Sequence, residues 1–163
     1  MRNDLTWPVP DGTVSAEYII GVGKQMGYIF PSDYVECAVH NNGSAVLPYN
    51  FEVNETTRVF GTLLSYDEDS SENIVKVYRD YVSSLPKGLV PFGFDPAGNL
   101  ICFDYKDNDD NPIVVFWEHE NAWEKGKLIQ EEGLTEEQAE ERARENVFYV
   151  AATFTEFLDK LHD

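Results

Sequence analysis

Cysteine is scarce: Cys37 and Cys102 are the only two in 163 residues, far apart and in no CxxC pair. That excludes a disulfide framework and a thiolate zinc knuckle, and a chain of this size and aromatic content needs no covalent staple. Both thiols read as reduced, buried and structural. Histidine is nearly as rare. His40, His119 and His162 form no HxxxH pair, so no zinc site is expected. Positive charge is also short, with twelve Lys and Arg against thirty Asp and Glu, a formal net charge of −18. A surface this negative repels nucleic acid and anionic lipid, which argues against direct binding to either. No apolar stretch approaches the ~20 residues of a membrane span. The N-terminus, Met1-Arg2-Asn3-Asp4-Leu5-Thr6-Trp7-Pro8, has no basic region followed by an apolar run, so a cytoplasmic location is expected. Gly21-Val22-Gly23 lacks the third glycine and the preceding strand of a phosphate loop, and no Ser or Cys sits in a nucleophile elbow. Acid pairs are so numerous that none stands out as a general acid and base. No cofactor is expected.

What is present is enough for a core. Hydrophobic residues make up 42% and aromatics 13% of the chain, too rich for disorder, and the length suits one domain. Residues 1–14, with two prolines before an Asp11-Gly12 turn, read as an irregular arm, and 15–163 as a single domain without repeats or linkers. Ser15 can cap a helix over 16–26 with Tyr18, Ile19, Val22 and Met26 on one face. Gly21 and Gly23 weaken it by up to ~1 kcal/mol each, so packing must hold it. Pro31 precedes Ser32-Asp33-Tyr34, read as a cap and a short helix that Asn41-Asn42-Gly43 ends. Two extended runs follow, about 45–53 and 58–64, with Pro48 marking an edge or a bulge. The acidic stretch Asp67-Glu68-Asp69-Ser70-Ser71 reads as a loop whose Ser71 caps a helix over 72–82.

The middle is the clearest part. Leu89 to Phe94, the turn Asp95-Pro96-Ala97-Gly98-Asn99, and Leu100 to Tyr105 make a hairpin. The run Ile113-Val114-Val115-Phe116-Trp117 is a buried strand, and short connections imply an antiparallel meander. The last third is helical. Thr135-x-x-Gln138 is a capping box, Val147 to Ala151 a short strand, and Thr153-x-x-Glu156 a second box opening a helix striped by Phe154, Phe157, Leu158 and Leu161. The fold class is therefore α+β, a single largely antiparallel sheet, mixed at most, with helices packed on it.

These segments, in this order, resemble the SUKH superfamily, the domain shared by bacterial immunity proteins and the fungal cell-wall assembly regulator of the Smi/Knr type. Phe30-Pro31-Ser32-Asp33-Tyr34 with Asn41-Asn42-Gly43 looks like the opening motif. Leu85-Pro86-Lys87-Gly88-Leu89-Val90-Pro91-Phe92-Gly93 and Gly98-Asn99-Leu100-Ile101-Cys102-Phe103-Asp104-Tyr105 look like the central hairpin. Pro112 to His119 looks like the next strand, and Ala152-Thr153-Phe154-Thr155-Glu156-Phe157-Leu158 like the closing helix. The resemblance runs from about residue 15 onward. Residues 121–146 look longer than a minimal member. It implies a mixed sheet with helices packed on it, no catalytic activity, and motif residues that are mostly structural: Pro31, Gly43, Pro86, Gly93 and Gly98 for backbone geometry, Tyr34, Phe92, Trp117, Phe154 and Phe157 for the core. Bacterial members of this kind bind and block a toxin, often a nuclease, of a polymorphic or contact-dependent system.

An acidic surface attracts a basic partner, here a toxin domain whose phosphate-binding cleft would accept carboxylates. Candidate partner-binding residues are Asp67, Glu68 and Asp69, then Asp104, Asp107, Asp109 and Asp110, then Glu118, with Tyr66, Tyr105 or Trp123 as aromatic anchors. Asp107, Asp109 and Asn111 alternate as in a calcium loop with Glu118 in the closing place. However, Pro112 occupies the glycine position and a β run follows, so no metal is expected. The alternative to an immunity protein is an intracellular scaffold or regulatory adaptor of the Smi/Knr type. A hydrolase would need a pocket where polar groups converge.

Overall fold

The computed structural model describes residues 2–163. Two helices come first: α1 (Ala16–Gln25), whose Tyr18 amide donates to Ser15 Oγ at 3.1 Å, and α2 (Ser32–Asn41). Ser32, read above as a cap, is already helical. Pro31 occupies the cap position, where its lack of an N–H costs nothing. Gly43 has φ +77°, and a Cβ there would collide with the Asp11 carboxylate, so this turn requires glycine.

The extended run over 58–64 divides. β1 (Asn50–Val53) and β2 (Thr56–Val59) form a separate two-stranded hairpin, turned by Asn54 and Glu55, both at positive φ as a two-residue hairpin loop demands. The chain then crosses at Phe60-Gly61 into β3 (Thr62–Leu63), the edge of the main sheet. Pro48 lies ahead of β1, outside both strands. Next come α3 (Ile74–Tyr81), β4 (Leu89–Phe94), β5 (Leu100–Asp104), β6 (Ile113–Trp117), α4 (Lys125–Glu132), α5 (Glu136–Arg144), β7 (Val147–Ala151) and α6 (Phe154–Asp159). Helix α3 starts later than expected because Asn73, not Ser71, caps it, its side-chain oxygen accepting from the Val75 and Lys76 amides. The main sheet has order β3-β4-β5-β6-β7 and every strand pair is antiparallel. Helices cover both faces, so the fold is α+β as expected.

Strand alternation sorts the core into two layers. Val90, Phe92, Ile101, Phe103, Val114 and Phe116 face α1, α2, α6 and the β1–β2 hairpin. Phe92 stacks on Phe103 at 4.4 Å between centroids, and Tyr34, Phe154 and Phe157 close around them edge-on. On the other face Leu89, Leu100, Cys102, Val115 and Trp117 lie under Val77, Tyr78 and Tyr81 of α3. Both cysteines are free and buried, and burial pushes the Cys37 thiol up to about 11.

The expected capping box at Thr135 is complete: Gln138 and Thr135 exchange both bonds. The one at Thr153 is half made, since the Glu156 carboxylate accepts from the Ala152 amide instead of from Thr153. The irregular arm is strapped down. Thr6 and Leu47 exchange backbone bonds, Asn42 donates to Gly12, and the Arg2 guanidinium donates to the Leu158 and Leu161 carbonyls. Among the described residues, no helix is long and apolar enough to cross a membrane.

Candidate functional site

The sheet register decides which candidate acids stand together. Leu89, Asp104 and Ile113 are cross-strand partners at one end of the sheet. β3 runs toward that same end, with Leu63 opposite Gly93 and the Leu64 amide donating to Phe92. The loop after β3 and the β5–β6 loop therefore emerge side by side, two to three strand spacings apart, roughly 10–14 Å. The first carries Asp67, Glu68 and Asp69, the second Asp107, Asp109 and Asp110, and all six are exposed. Among the described residues, none of the six makes an ion pair.

Both loops are built to hold their shape. Asp67 Oδ1 accepts from the Asp69 amide, and Asn73 Nδ2 donates to the Asp67 carbonyl, so the residue that caps α3 also pins the loop before it. Lys76 Nζ donates to the Glu68 carbonyl at 2.5 Å, and the exposed Glu68 carboxylate accepts from the Tyr18 hydroxyl of α1 at 3.4 Å. In the other loop Asn108 Oδ1 accepts from the Asp110 and Asn111 amides, a local turn that fans the neighbouring carboxylates. Beneath it, Asp110, Asn111 and Pro112 meet Ile29, Ser32 and Thr153 around an open groove of about 500 Å³. Ile29, 52% exposed, is an apolar contact that sequence reasoning did not single out. Its signal was weak: one apolar residue between Tyr28 and Phe30, both of which turn inward.

Two candidate acids do not belong to this end. Asp104 points to the opposite face from Phe103, its side chain 7% exposed, and meets the Arg144 guanidinium in a two-pronged pair at 2.5 and 3.1 Å. Its other bond is from the Lys106 amide. It ties α5 to β5 and presents nothing outward. Glu118 follows Trp117 at the far end of β6, a strand length away from Asp110, and lines a small pocket with Arg58 and Phe148. Of the aromatic anchors, Tyr66 and Tyr105 are buried. The Tyr66 and Tyr34 hydroxyls bond at 2.7 Å, and the Tyr105 hydroxyl donates to the Ile29 carbonyl at 2.7 Å. Burial drives the Tyr66 and Tyr105 hydroxyls well above the ordinary phenol range and holds them neutral. Trp123 alone of the three is exposed, on the opposite side of the sheet ahead of α4. Among the described residues, no group of three or more His, Cys, Asp or Glu is arranged to hold a metal ion.

The ordered set of turns, core aromatics and helix caps is matched by one family description, the SMI1 / KNR4 family (SUKH-1), over residues 13–160. The chain belongs to this family. The SUKH-1 match takes in every helix and strand, including α4 and α5 in the stretch 121–146, and leaves out most of the arm. Comparison with individual curated proteins gave no match. The SUKH-1 motif residues sit where structure needs them: Gly43 and Gly98 are at positive φ, Pro86 is buried, and Tyr34, Phe92, Trp117, Phe154 and Phe157 are in the core. They leave the exposed loops free to differ from one member to another.

Proposed function

We propose that this chain is an immunity protein that binds and neutralises a basic toxin domain, a nuclease, of a bacterial polymorphic or contact-dependent toxin system. It acts by occupying the toxin, without chemistry of its own and without a cofactor. The observation that carries this reading is the pair of rigid loops at one end of the sheet, whose six exposed carboxylates lack counter-ions. A nuclease holds phosphates with a cleft of Arg and Lys, and carboxylates at similar spacing can take the place of those phosphates. The whole-chain charge of −18 would add long-range attraction and raise the encounter rate by roughly 10- to 1000-fold at low salt. Ile29 and the adjoining groove offer apolar area beside the charges, as an interface with a polar rim requires. Tyr34, Tyr66, Tyr105 and Cys102 are raised by burial against the sheet, which keeps them neutral.

A neighbouring gene for a large secreted protein with a nuclease-like C-terminal domain would supply the partner, and co-expression with that domain tests the reading. Growth should be restored by the wild-type chain and lost with Asp107→Lys/Asp109→Lys/Asp110→Lys. No restoration by the wild-type chain would favour a regulatory scaffold of the Smi/Knr type.

A further inference from the structure

A charged face steers an encounter, but long-lived complexes need an apolar anchor, most often Trp, Tyr or Arg, set within a rim that excludes water. At the acidic end Tyr66 and Tyr105 are turned inward, and Tyr18, 43% exposed, is held to the Glu68 carboxylate through its hydroxyl at 3.4 Å. The exposed indole lies elsewhere. Trp123 is 52% exposed and precedes α4, and Val82, 42% exposed, ends α3. The Lys125 amide donates to the Ser83 carbonyl at 2.9 Å, so the two apolar side chains lie within two residues of one shared hydrogen bond. Asp80, Glu120 and Glu124 are exposed around them. Of the nearby cations, Lys125 pairs with Glu140 at 2.6 Å, while Arg79, beside the groove between α1 and α3, and Lys127, on the next turn of α4, are outnumbered by these acids. Between residues 118 and 145 there are ten acids against four Lys and Arg. This shoulder is continuous with the acidic end. The Asp67–Asp69 loop leads into α3, whose cap Asn73 holds the Asp67 carbonyl, and Val82 lies at the finish of the helix, about 12 Å along the axis. A single protein footprint of ~800 Å² per partner covers both.

We infer that Trp123, flanked by Val82, is the anchor of the interface and enters an apolar pocket with a basic rim on the toxin domain. The inference rests on the immunity reading and divides the labour within it. The six loop carboxylates set the association rate, and the indole sets the dissociation rate.

Binding kinetics measured on an optical biosensor, with the purified toxin domain used in the co-expression test, separate the two. Trp123→Ala should speed dissociation roughly 30-fold, as expected of a hot-spot aromatic, and change association by less than about twofold. Val82→Ser, on a different element, should speed dissociation severalfold. Both variants should melt with the wild-type chain, because exposed side chains add little to stability. A dissociation rate for Trp123→Ala within about twofold of wild type overturns the anchor while leaving the immunity reading intact. Failure of the wild-type chain to bind that domain overturns both.

Discussion

Replacing Arg144 with Met removes the guanidinium fork and keeps most of the apolar stem. Asp104 is then left almost fully buried, holding only the Lys106 amide, and the Lys87 carbonyl loses its 2.8 Å bond from Arg144. Breaking a fully buried ion pair from one side costs about 3–5 kcal/mol, and an exposed pair about 0–1 kcal/mol. With side chains 7% and 22% exposed this pair lies nearer the buried limit, so a loss of about 2–3 kcal/mol is expected. At roughly 2–4 °C per kcal/mol for a chain of this length, the melting temperature should fall by about 5–10 °C. Asp104→Asn with Arg144→Met should recover much of that loss, because no uncompensated charge remains. Thermal melts followed by circular dichroism, with urea titrations for the free energies, give the double-mutant cycle. The reasoning fails if Arg144→Met melts within about 2 °C of wild type or if the double variant is no better than the single. Asp104→Asn alone should leave toxin association unchanged, since its carboxylate faces α5.

Asn73→Ala should cost about 1–2 kcal/mol in urea unfolding, because one side chain caps α3 and also holds the Asp67 carbonyl; hydrogen exchange should quicken over 67–76 before the rest of the chain. Tyr34→Phe and Tyr66→Phe should each cost about 1–2 kcal/mol by stranding the other hydroxyl, with the double change less than additive. His162 has its pKa raised above the ordinary value by the Asp163 carbonyl and then by Glu52, which lies 2.8 Å away. A raised folded-state pKa stabilises below the unfolded value of ~6.5 and ceases to do so as pH climbs through the folded one. The tie between the C-terminus and β1 should therefore weaken on going from mildly acidic to alkaline pH. An NMR titration should find the His162 midpoint above ~6.5 and Glu52→Gln should lower it; an unchanged midpoint in that variant refutes the pairing.

Much of the fold is legible where local chemistry and packing agree. The hairpin of Leu89 to Phe94 with Leu100 to Tyr105, whose second strand ends one residue early at Asp104, the unbroken apolar run Ile113 to Trp117 and the Thr135 capping box appear as read. The run over 58–64 misled because extended backbone looks the same in two sheets; only the crossing at Phe60-Gly61, where a Cβ on Gly61 would strike the Phe94 carbonyl, separates them. Ser71 and Asn73 are both good caps, and the Ser65–Asn73 bridge, which closes the intervening loop, decides in favour of the second. Helix α4 left little trace, since Gly126 interrupts it and only Leu128 is buried. At the candidate site the acidic loops could be named but not sorted. Alternation alone puts Asp104 on the face of Leu100 and Cys102. That the face is covered there by α5, with Arg144 waiting, is a tertiary fact 40 residues away.

The central claim is that the loop end bearing Asp107, Asp109 and Asp110 meets a basic toxin domain. The most direct measurement is the association rate of that domain with the wild-type chain and with the triple Lys variant, from low salt to ~0.5 M, several times shorter in Debye length. The expected result is a fast wild-type rate that falls steeply with salt, and a variant at least ~10-fold slower at low salt with a flattened dependence. Equal rates for the two proteins across the salt range would contradict it.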